Sequence, residues 1–290
     1  MKILLFAMDG LFSRIILENI NLLKNEIKGI VLPEQGDVKS SEVKNNPFKI
    51  YNPNSIQSVA DSLNIPVYTI SNKNPKEYGH LLAATNPEII IVACFPYKIP
   101  KDVYEYPQKG SYNIHPSLLP LYRGPTPLFW QFYFGEKNTG ITIHALDDNY
   151  DTGDIIVQLP VSFNEGITIS EATAELGLVS SYLVATLLTN LNVGNVNKEH
   201  QNNLKDSYFT WPDVSDFTIN IDWEVKRAYN FICATRDSKH PYTVILNNKQ
   251  KLIIQNAVGY EKNCHLGKDY AKQNGETFIQ FIDGCLICVT

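Results

Sequence analysis

Mostly apolar runs alternate with segments of helical spacing through the first half of the chain. Lys2–Met8 and Glu88–Cys94 show no polar alternation, which is typical of strands covered on both faces. Strands and helices that follow one another in this way predict an open parallel sheet, and ligands of such sheets lie outside the carboxyl ends of the strands. The pattern also predicts strands at Ile27–Leu32 and Val67–Ile70, helices at Leu11–Leu23, Ser55–Leu63 and Lys76–Thr85, and a polar, irregular excursion at 33–54.

The pattern changes after Pro160. Thr168–Leu191 predicts one long amphipathic helix, and 194–216 is polar and irregular, as linkers are. We therefore predict an α/β fold with a Rossmann-like sheet domain at 1–193, a linker at 194–216 and a smaller, mostly β, barrel-like domain at 217–290. The elements predicted for the last domain are a helix at Glu224–Thr235 and strands at Tyr242–Leu246, Lys251–Val258 and Thr277–Thr290.

Composition narrows the class of protein. The chain has 290 residues and a formal net charge of −5, which argues against electrostatic coating of nucleic acid. Its five cysteines are irregularly spaced and predict no disulfide framework. The N-terminal apolar stretch meets Asp9 too early for a signal peptide, and we expect no apolar run near the ~20 residues that span a bilayer. We expect a cytoplasmic protein without a membrane partner.

Candidate chemistry is concentrated in the segment 111–127. Asn113 and His115 are two residues apart, so on a strand their side chains face the same way, and Pro116 favours an extended conformation at His115. An amide can stabilise a negative oxygen and an imidazole can move a proton. A turn capped by Asn113, with His115 bound to the backbone, would give the same residue pattern.

A second polar cluster, Asp147-Asp-Asn-Tyr-Asp-Thr-Gly-Asp154, lies between the predicted strands Thr139–Leu146 and Ile155–Phe163. Its spacing does not fit a helix–loop–helix calcium site. A solvated loop, another cation site, and a single carboxylate folded back toward Asn113 and His115 all stay open on these residues alone.

The run Asn-x-His-Pro-Ser-Leu-Leu-Pro-x-Tyr-Arg-Gly, followed by Asp-Thr-Gly-Asp, resembles the 10-formyltetrahydrofolate-dependent formyltransferases. That family includes methionyl-tRNA, glycinamide ribonucleotide and sugar-amine formyltransferases, and the resemblance is close from about Pro87 to Leu159. It implies formyl transfer to a primary amine and a catalytic trio of Asn113, His115 and Asp151. In these roles Asn113 and a protonated His115 hold the oxyanion, while Asp151 removes the amine proton and orients His115; neither a metal nor a covalent intermediate is implied.

The resemblance also implies where 10-formyltetrahydrofolate binds. A loop after the predicted fourth strand would receive the pterin ring, although its position alone is equally typical of a plain strand–helix connection. Two further residues could border the site: Arg123, which could meet folate, an acceptor phosphate or Asp151, and His144, which could also be structural. The implied folate contacts are Phe95, Pro96, Tyr97, Ile99 and Pro100 in the loop, and Ser117, Leu118, Leu119 and Pro120 in the motif.

The acceptor amine is less certain than the reaction class. The two-part layout is similar to methionyl-tRNA formyltransferase, and methionyl-tRNA is the acceptor that the resemblance favours. The stretch 31–40, however, lacks the arginine of the basic insertion in the tRNA enzymes, and residues from Lys205 onward carry ten basic and ten acidic side chains. A small amine, such as an amino sugar nucleotide or a hydroxyornithine-type compound, is the alternative. Formyltetrahydrofolate hydrolysis and folate binding without turnover are two further alternatives.

Overall fold

The computed structural model describes residues 1–34, 55–71 and 76–289. Most of the polar excursion predicted at 33–54, and with it most of the stretch 31–40, lies outside the described residues.

A seven-stranded sheet forms the first part of the chain. Its strands are β1 Lys2–Ala7, β2 Glu26–Pro33, β3 Val67–Ile70, β4 Ile89–Ala93, β5 Ser111–His115, β6 Asn138–Ala145 and β7 Ile155–Ser162. They hydrogen-bond in the order β3-β2-β1-β4-β5-β6-β7. Strands β1 to β5 are parallel, as predicted, whereas β6 and β7 run antiparallel to their neighbours. A loop without a crossover helix joins β6 to β7, and strands joined in this way pair antiparallel.

Helices cover both faces of this sheet. They are α1 Leu11–Leu22, α2 Ile56–Ser62, α3 Lys76–Thr85, α4 Lys101–Tyr104, α5 Pro127–Phe134 and α6 Ile169–Val193, and α7 Val225–Thr235 follows in the second part. On one face, α1 and α6 bury residues such as Ile16 and Leu187 against β1 and β4, whereas α3 and α4 bury Leu81 and Val103 against the other face. The apolar pattern does not predict α4 or α5.

The long helix α6 begins with a capping box, in which Thr168 and Glu171 bind each other's backbone, and it ends at Gly194 in the left-handed conformation. By length and composition it could cross a membrane, so the expectation that no segment reaches that length is wrong. In the fold, one side of α6 packs on the sheet through residues such as Leu176 and Leu183.

The second part contains two sheets, and it is mostly β, as predicted. The strands are β8 Thr218–Asn220, β9 Tyr242–Ile245, β10 Lys251–Ile254, β11 Asn256–Lys262, β12 Tyr270–Gln273, β13 Glu276–Phe281 and β14 Gly284–Val289. They hydrogen-bond in the orders β10-β9-β8 and β11-β14-β13-β12. The single strand predicted at Lys251–Val258 bends at Gln255 from one sheet into the other. The strand predicted at Thr277–Thr290 is a hairpin, in which Phe281 pairs with Gly284 across the two-residue loop Ile282-Asp283.

One disulfide joins Cys264 to Cys285, whereas Cys94, Cys233 and Cys288 are free; the spacing of the cysteines did not predict this bond. The antiparallel pairing of β11 with β14 brings the two residues together, because Glu261 lies opposite Cys285 in the ladder. Such a contact is set by tertiary structure, and the spacing of cysteines along the chain does not reveal it.

One apolar core spans the two parts of the chain. Phe129 of α5 packs edge-on against Phe231 of α7, with ring centroids 5.5 Å apart, and against Phe217 at 5.7 Å. Arg227 of α7 also donates a hydrogen bond from Nε to the backbone carbonyl of Tyr133. Helix α5, which directly follows the Arg123-Gly124 motif, therefore belongs to the same apolar core as the second part of the chain.

Candidate active site

Strand β5 presents Asn113 and His115 toward the loop between β6 and β7, and that loop brings Asp151 to them. Asn113 Nδ2 donates a hydrogen bond to Asp151 Oδ1 at 3.1 Å, and His115 Nδ1 lies 3.6 Å from the same oxygen. Of the three arrangements left open for the acidic cluster, the structure has the carboxylate folded back. The three side chains implied as catalytic meet in one largely buried crevice.

Asp151 is ionised in this crevice. Burial alone would raise its pKa, but the neighbouring imidazoles of His115 and His144 and a hydrogen bond from the Gly124 N–H outweigh burial and hold the pKa well below its usual range. The Gly124 N–H donates to Asp151 Oδ2 at 2.9 Å. A carboxylate with a pKa below its usual range carries its charge through the neutral range.

His115 is 4% exposed. Its Nε2 lies 2.8 Å from the carbonyl oxygen of Tyr122, which can only accept, so the hydrogen bond assigns the proton of neutral His115 to Nε2. Nδ1 then has a free lone pair and faces Asp151. Burial lowers the pKa of His115, and the attraction of Asp151 offsets this only in part. His115 is therefore neutral near pH 7 and able to accept a proton at Nδ1.

His144 completes this polar group. It lies opposite Asn113 in the β5–β6 ladder and is 1% exposed. Its Nδ1 is 2.9 Å from the carbonyl oxygen of Ala145, which assigns its proton to Nδ1, and its Nε2 accepts from Asn113 Nδ2 at 3.1 Å. Both hydrogens of the Asn113 amide are thus engaged, one by Asp151 and one by His144. The structure places His144 at the site border, and it also has a structural hydrogen bond.

The backbone of Asp151 has a φ of 58°, in the left-handed region that non-glycine residues seldom adopt. Contacts on two sides hold this conformation. On one side, the backbone of Lys98 hydrogen-bonds the hydroxyl of Tyr150, and Tyr104 donates to Asp148 at 2.8 Å. On the other side, Gln201 Nε2 donates to the Asp151 carbonyl at 2.9 Å.

Arg123 is 5% exposed and binds the segment predicted as a linker. Its Nη2 donates to Gln201 Oε1 at 2.7 Å, and its Nη1 forms an ion pair with Asp206 at 2.7 Å. Of the partners left open for Arg123, Asp151 is reached through Gln201. Sequence patterns did not single out Gln201, because it lies in a polar stretch without periodicity.

Gly124 is required where the linker crosses the motif. Its φ is 110°, and a Cβ there would overlap the carbonyl oxygen of Phe209. Because strain and overlap add, we expect Gly124→Ala to lower the free energy of unfolding by about 3 kcal/mol. Gly194→Ala is the matched control, since Gly194 also has a positive φ but open space around it; it should cost about 1 kcal/mol. Equilibrium chemical denaturation measures both, and equal losses would contradict the proposed overlap.

The predicted pterin loop lies beside the trio, because it follows β4 and Val92 pairs with Asn113. Phe95 packs edge-on against Phe6 of β1 and against Tyr97, at 5.1 and 5.4 Å between ring centroids. Phe95, Pro96, Tyr97 and Pro100 are half-buried, whereas Ile99 belongs to the core. This loop offers apolar walls at the carboxyl ends of β1 and β4, where the strand order reverses, and such a position suits a flat ring.

The second predicted folate segment, Ser117–Pro120, is held in place by side chains of β6 and β7. The Leu119 N–H donates to Thr142 Oγ1, and Gln158 Nε2 donates to the Leu119 carbonyl. Ser117 is buried, and its hydroxyl donates to the Leu121 carbonyl at 2.7 Å. Ser117 and Leu119 thus support the segment, and Leu118 and Pro120 retain exposed surface for a ligand. Among the described residues, no group of three or more His, Cys, Asp and Glu side chains could hold a metal ion.

The family profile described as Formyl transferase matches residues 8–178. The chain belongs to the formyl transferase family. Formyl transferases with related sequences include the methionyl-tRNA formyltransferase of Clostridioides difficile, 30% identical over 219 residues that cover 75% of this chain and 68% of the relative. The methionyl-tRNA formyltransferase of Carboxydothermus hydrogenoformans is 30% identical over 77% of this chain and 70% of its own. The resemblance stated from the motif is confirmed at the level of the family.

Solved formyl transferases share the fold of both parts of the chain. The sugar 3N-formyltransferase WlaRD, solved with dTDP and 5-N-formyl-THF, superposes with a TM-score of 0.69 at 18% identity and covers 98% of this chain and 96% of its own. An N-formyltransferase from Helicobacter canadensis, solved with folinic acid and dTDP-3-aminofucose, has a TM-score of 0.66 at 23% identity, with 99% and 98% coverage. At these identities the likeness concerns the fold alone.

Proposed function

We propose that this formyl transferase moves the formyl group of 10-formyltetrahydrofolate to the primary amine of a small acceptor, a nucleotide-linked amino sugar. The observation that carries the reaction is the meeting of Asn113, His115 and Asp151 around one carboxylate oxygen. An amide donor, a neutral imidazole and a fixed negative charge are the groups that attack of an amine on an amide-like carbon requires.

Asn113 and His115 act on different atoms of the reaction. The bound folate supplies an amide-like formyl carbon, whose attack by the amine makes its oxygen negative. Asn113 stabilises that oxygen by turning toward it the amide hydrogen that otherwise binds His144. His115 Nδ1 takes the amine proton, directly or through one water, because its lone pair is free while His115 is neutral.

Asp151 stabilises the imidazolium that forms when His115 takes this proton. Its carboxylate is already charged and is held by the Gly124 N–H, so the carboxylate needs no reorganisation at that moment. The sequence analysis assigns proton removal to Asp151. The hydrogen bond from His115 Nε2 to the Tyr122 carbonyl, which leaves Nδ1 free to accept, and the hold of the Gly124 N–H on Asp151 favour the exchange of these two roles.

Charge distribution favours a small acceptor over tRNA. The only strongly buried cation of the motif, Arg123, is neutralised by Asp206. In the second part, Lys226 pairs with Glu165, Lys262 pairs with Asp283, and Arg227 stacks on Trp223. Phosphate backbones require clustered unpaired cations. From Lys205 onward, however, ten basic residues are balanced by ten acidic residues, and three of the ten basic residues have the partners named above. The solved sugar N-formyltransferases share the fold of this chain over nearly its whole length, so the fold is compatible with such an acceptor.

Methionyl-tRNA is the second candidate acceptor. It rests on the sequence relatives, which are methionyl-tRNA formyltransferases at 30% identity over about three quarters of this chain. Exposed lysines that could contact RNA are present in the second part, among them Lys249 and Lys251.

A panel of acceptors separates the two candidates. We expect kcat/KM with dTDP- or UDP-linked amino sugars to exceed that with initiator methionyl-tRNA, and to depend weakly on salt because few phosphates are bound. The measurement is transfer of labelled formyl from 10-formyltetrahydrofolate at several salt concentrations. The control is the double variant Lys249→Ala, Lys251→Ala, which should leave transfer to the sugar unchanged. Efficient formylation of the tRNA that collapses with salt and in the double variant would overturn the small-acceptor proposal.

A further inference from the structure

Gln201 lies in the polar stretch between the two parts of the chain, yet it is 3% exposed. Its amide is fully used: Oε1 accepts from Arg123, and Nε2 donates to the carbonyl oxygens of Asp151 at 2.9 Å and Gly153 at 2.7 Å. Gln201 thus links the Arg123 side chain to the backbone of the Asp151 loop. Among the described hydrogen bonds, no other side chain makes this link. A buried amide satisfied in this way is strongly constrained.

The contacts of Gln201 close a ring around Asp151. The carboxylate of Asp151 is held by the Gly124 N–H, and its carbonyl is held by Gln201, which is in turn held by Arg123, the neighbour of Gly124. The side chain of Asp151 is thus held directly by Gly124, and its backbone is held through Gln201 by Arg123. This fixes a residue whose φ of 58° the loop would not adopt unaided.

The backbone of the same segment is anchored on both sides of Gln201. Glu199 and Ile155 exchange N–H···O bonds at 2.8 and 2.9 Å. Further along, the Arg123 N–H donates to the Ser207 carbonyl at 2.9 Å, and the Phe209 N–H donates to the Arg123 carbonyl at 3.0 Å. Gln201 therefore lies between two backbone bridges, which fix the position of its backbone. Hydrogen bonds with Arg123, Asp151 and Gly153 fix the orientation of its side-chain amide.

We infer that Gln201 is a positioning residue for formyl transfer. From outside the sheet domain, it fixes the position of the Asp151 carboxylate relative to His115. The expected effect on the rate rests on the proposed function. The support that Gln201 gives to the loop 147–154 does not depend on that function. The structural support of the site thus extends beyond the sheet domain to Gln201 and to the backbone anchors at Glu199, Ser207 and Phe209. A displacement of about 1 Å of a group beside the reacting atoms can cost about 10²-fold in rate.

Gln201→Glu tests the role with little change of shape. A glutamate still accepts from Arg123, but it has no N–H for the carbonyls of Asp151 and Gly153 and repels them. We expect kcat to fall by about 10²-fold, with the KM for 10-formyltetrahydrofolate close to that of the wild type. The melting temperature should fall as well, because two buried carbonyls lose their hydrogen-bond donor. Asn202→Ala, at the neighbouring exposed residue, is the matched control and should retain wild-type kcat.

Hydrogen–deuterium exchange gives a readout that does not depend on activity. We expect faster exchange in peptides covering 147–154 of Gln201→Glu, and wild-type exchange there in Asn202→Ala. Asp206→Asn, at the partly exposed end of the Arg123 pair, provides a second and milder variant, with a smaller fall in kcat and the same loop affected. Wild-type kcat in Gln201→Glu, or a loss of protection spread over the whole chain, would overturn the inference. If the wild type formylates no acceptor, the proposed function fails, and the exchange of 147–154 alone then decides whether Gln201 holds the loop.

Discussion

Replacement of Asp151 by asparagine is expected to lower kcat about 10³-fold, within the range typical of groups that assist proton transfer. The variant has nearly the same shape, but it lacks the charge that stabilises His115 after it takes the amine proton. Its amide hydrogens would also face the Gly124 N–H or the Asn113 amide, which are both donors. An unmatched donor pair in a buried site weakens the geometry as well as the charge.

The control for this variant is Asp148→Asn in the same loop, whose carboxylate is 64% exposed. It should keep a rate close to that of the wild type. Folate binding should survive in both variants, so a non-reactive reduced folate should raise their melting temperatures as it does for the wild type. Wild-type turnover by folded Asp151→Asn would remove Asp151 from the mechanism.

Replacement of His115 by glutamine is expected to lower kcat by on the order of 10²–10³-fold and to change its pH dependence. A proton acceptor works only when it is neutral. Because burial lowers the pKa of His115, the neutral form persists to lower pH than it does for an ordinary histidine. In the wild type, kcat should therefore rise with pH and level off before neutrality, with an apparent pKa below that of a free histidine, about 6.5.

The measurement is kcat from about pH 5 to pH 8, around the ordinary histidine pKa, with saturating acceptor and donor. His115→Gln should lose this acid limb, since glutamine does not titrate. His200→Gln serves as the control, because His200 is exposed and pairs with Asp154 outside the trio; it should retain the limb. An unchanged acid limb in His115→Gln would assign the titration to another group and contradict the proposed exchange of roles.

Local pattern predicted much of the sheet domain. The strand Val67–Ile70 and the helix Lys76–Thr85 have the predicted bounds, because their apolar periodicity and their flanking polar residues agree. The shared direction of Asn113 and His115 follows from the two-residue period of a strand. The meeting of these two residues with Asp151 could be expected from the family motif, and the structure shows how β6 and its loop achieve it.

Features set by distant contacts were not predictable from the chain. Helix α5 is apolar and aromatic except for Gln131, so a single polar residue is too little to reveal its periodicity. Packing against α7 selects the helix. Gln201 resembles any polar residue of a linker until the fold places it beside Arg123. His144 was noticed only as a possible border residue, because the register of β6 against β5 decides whether it faces Asn113.

The shared core of Phe129, Phe217 and Phe231 bears on the exchange of parts between relatives. A chimaera cut at residue 194 would replace Phe231, Arg227 and the stretch 199–209 together, although α5 and the motif before it were built to fit them. A cut at residue 194 therefore also exchanges Gln201 and the backbone anchors that support Asp151. Working hybrids should require a junction beyond Phe209 together with retention of the α7 residues that face α5.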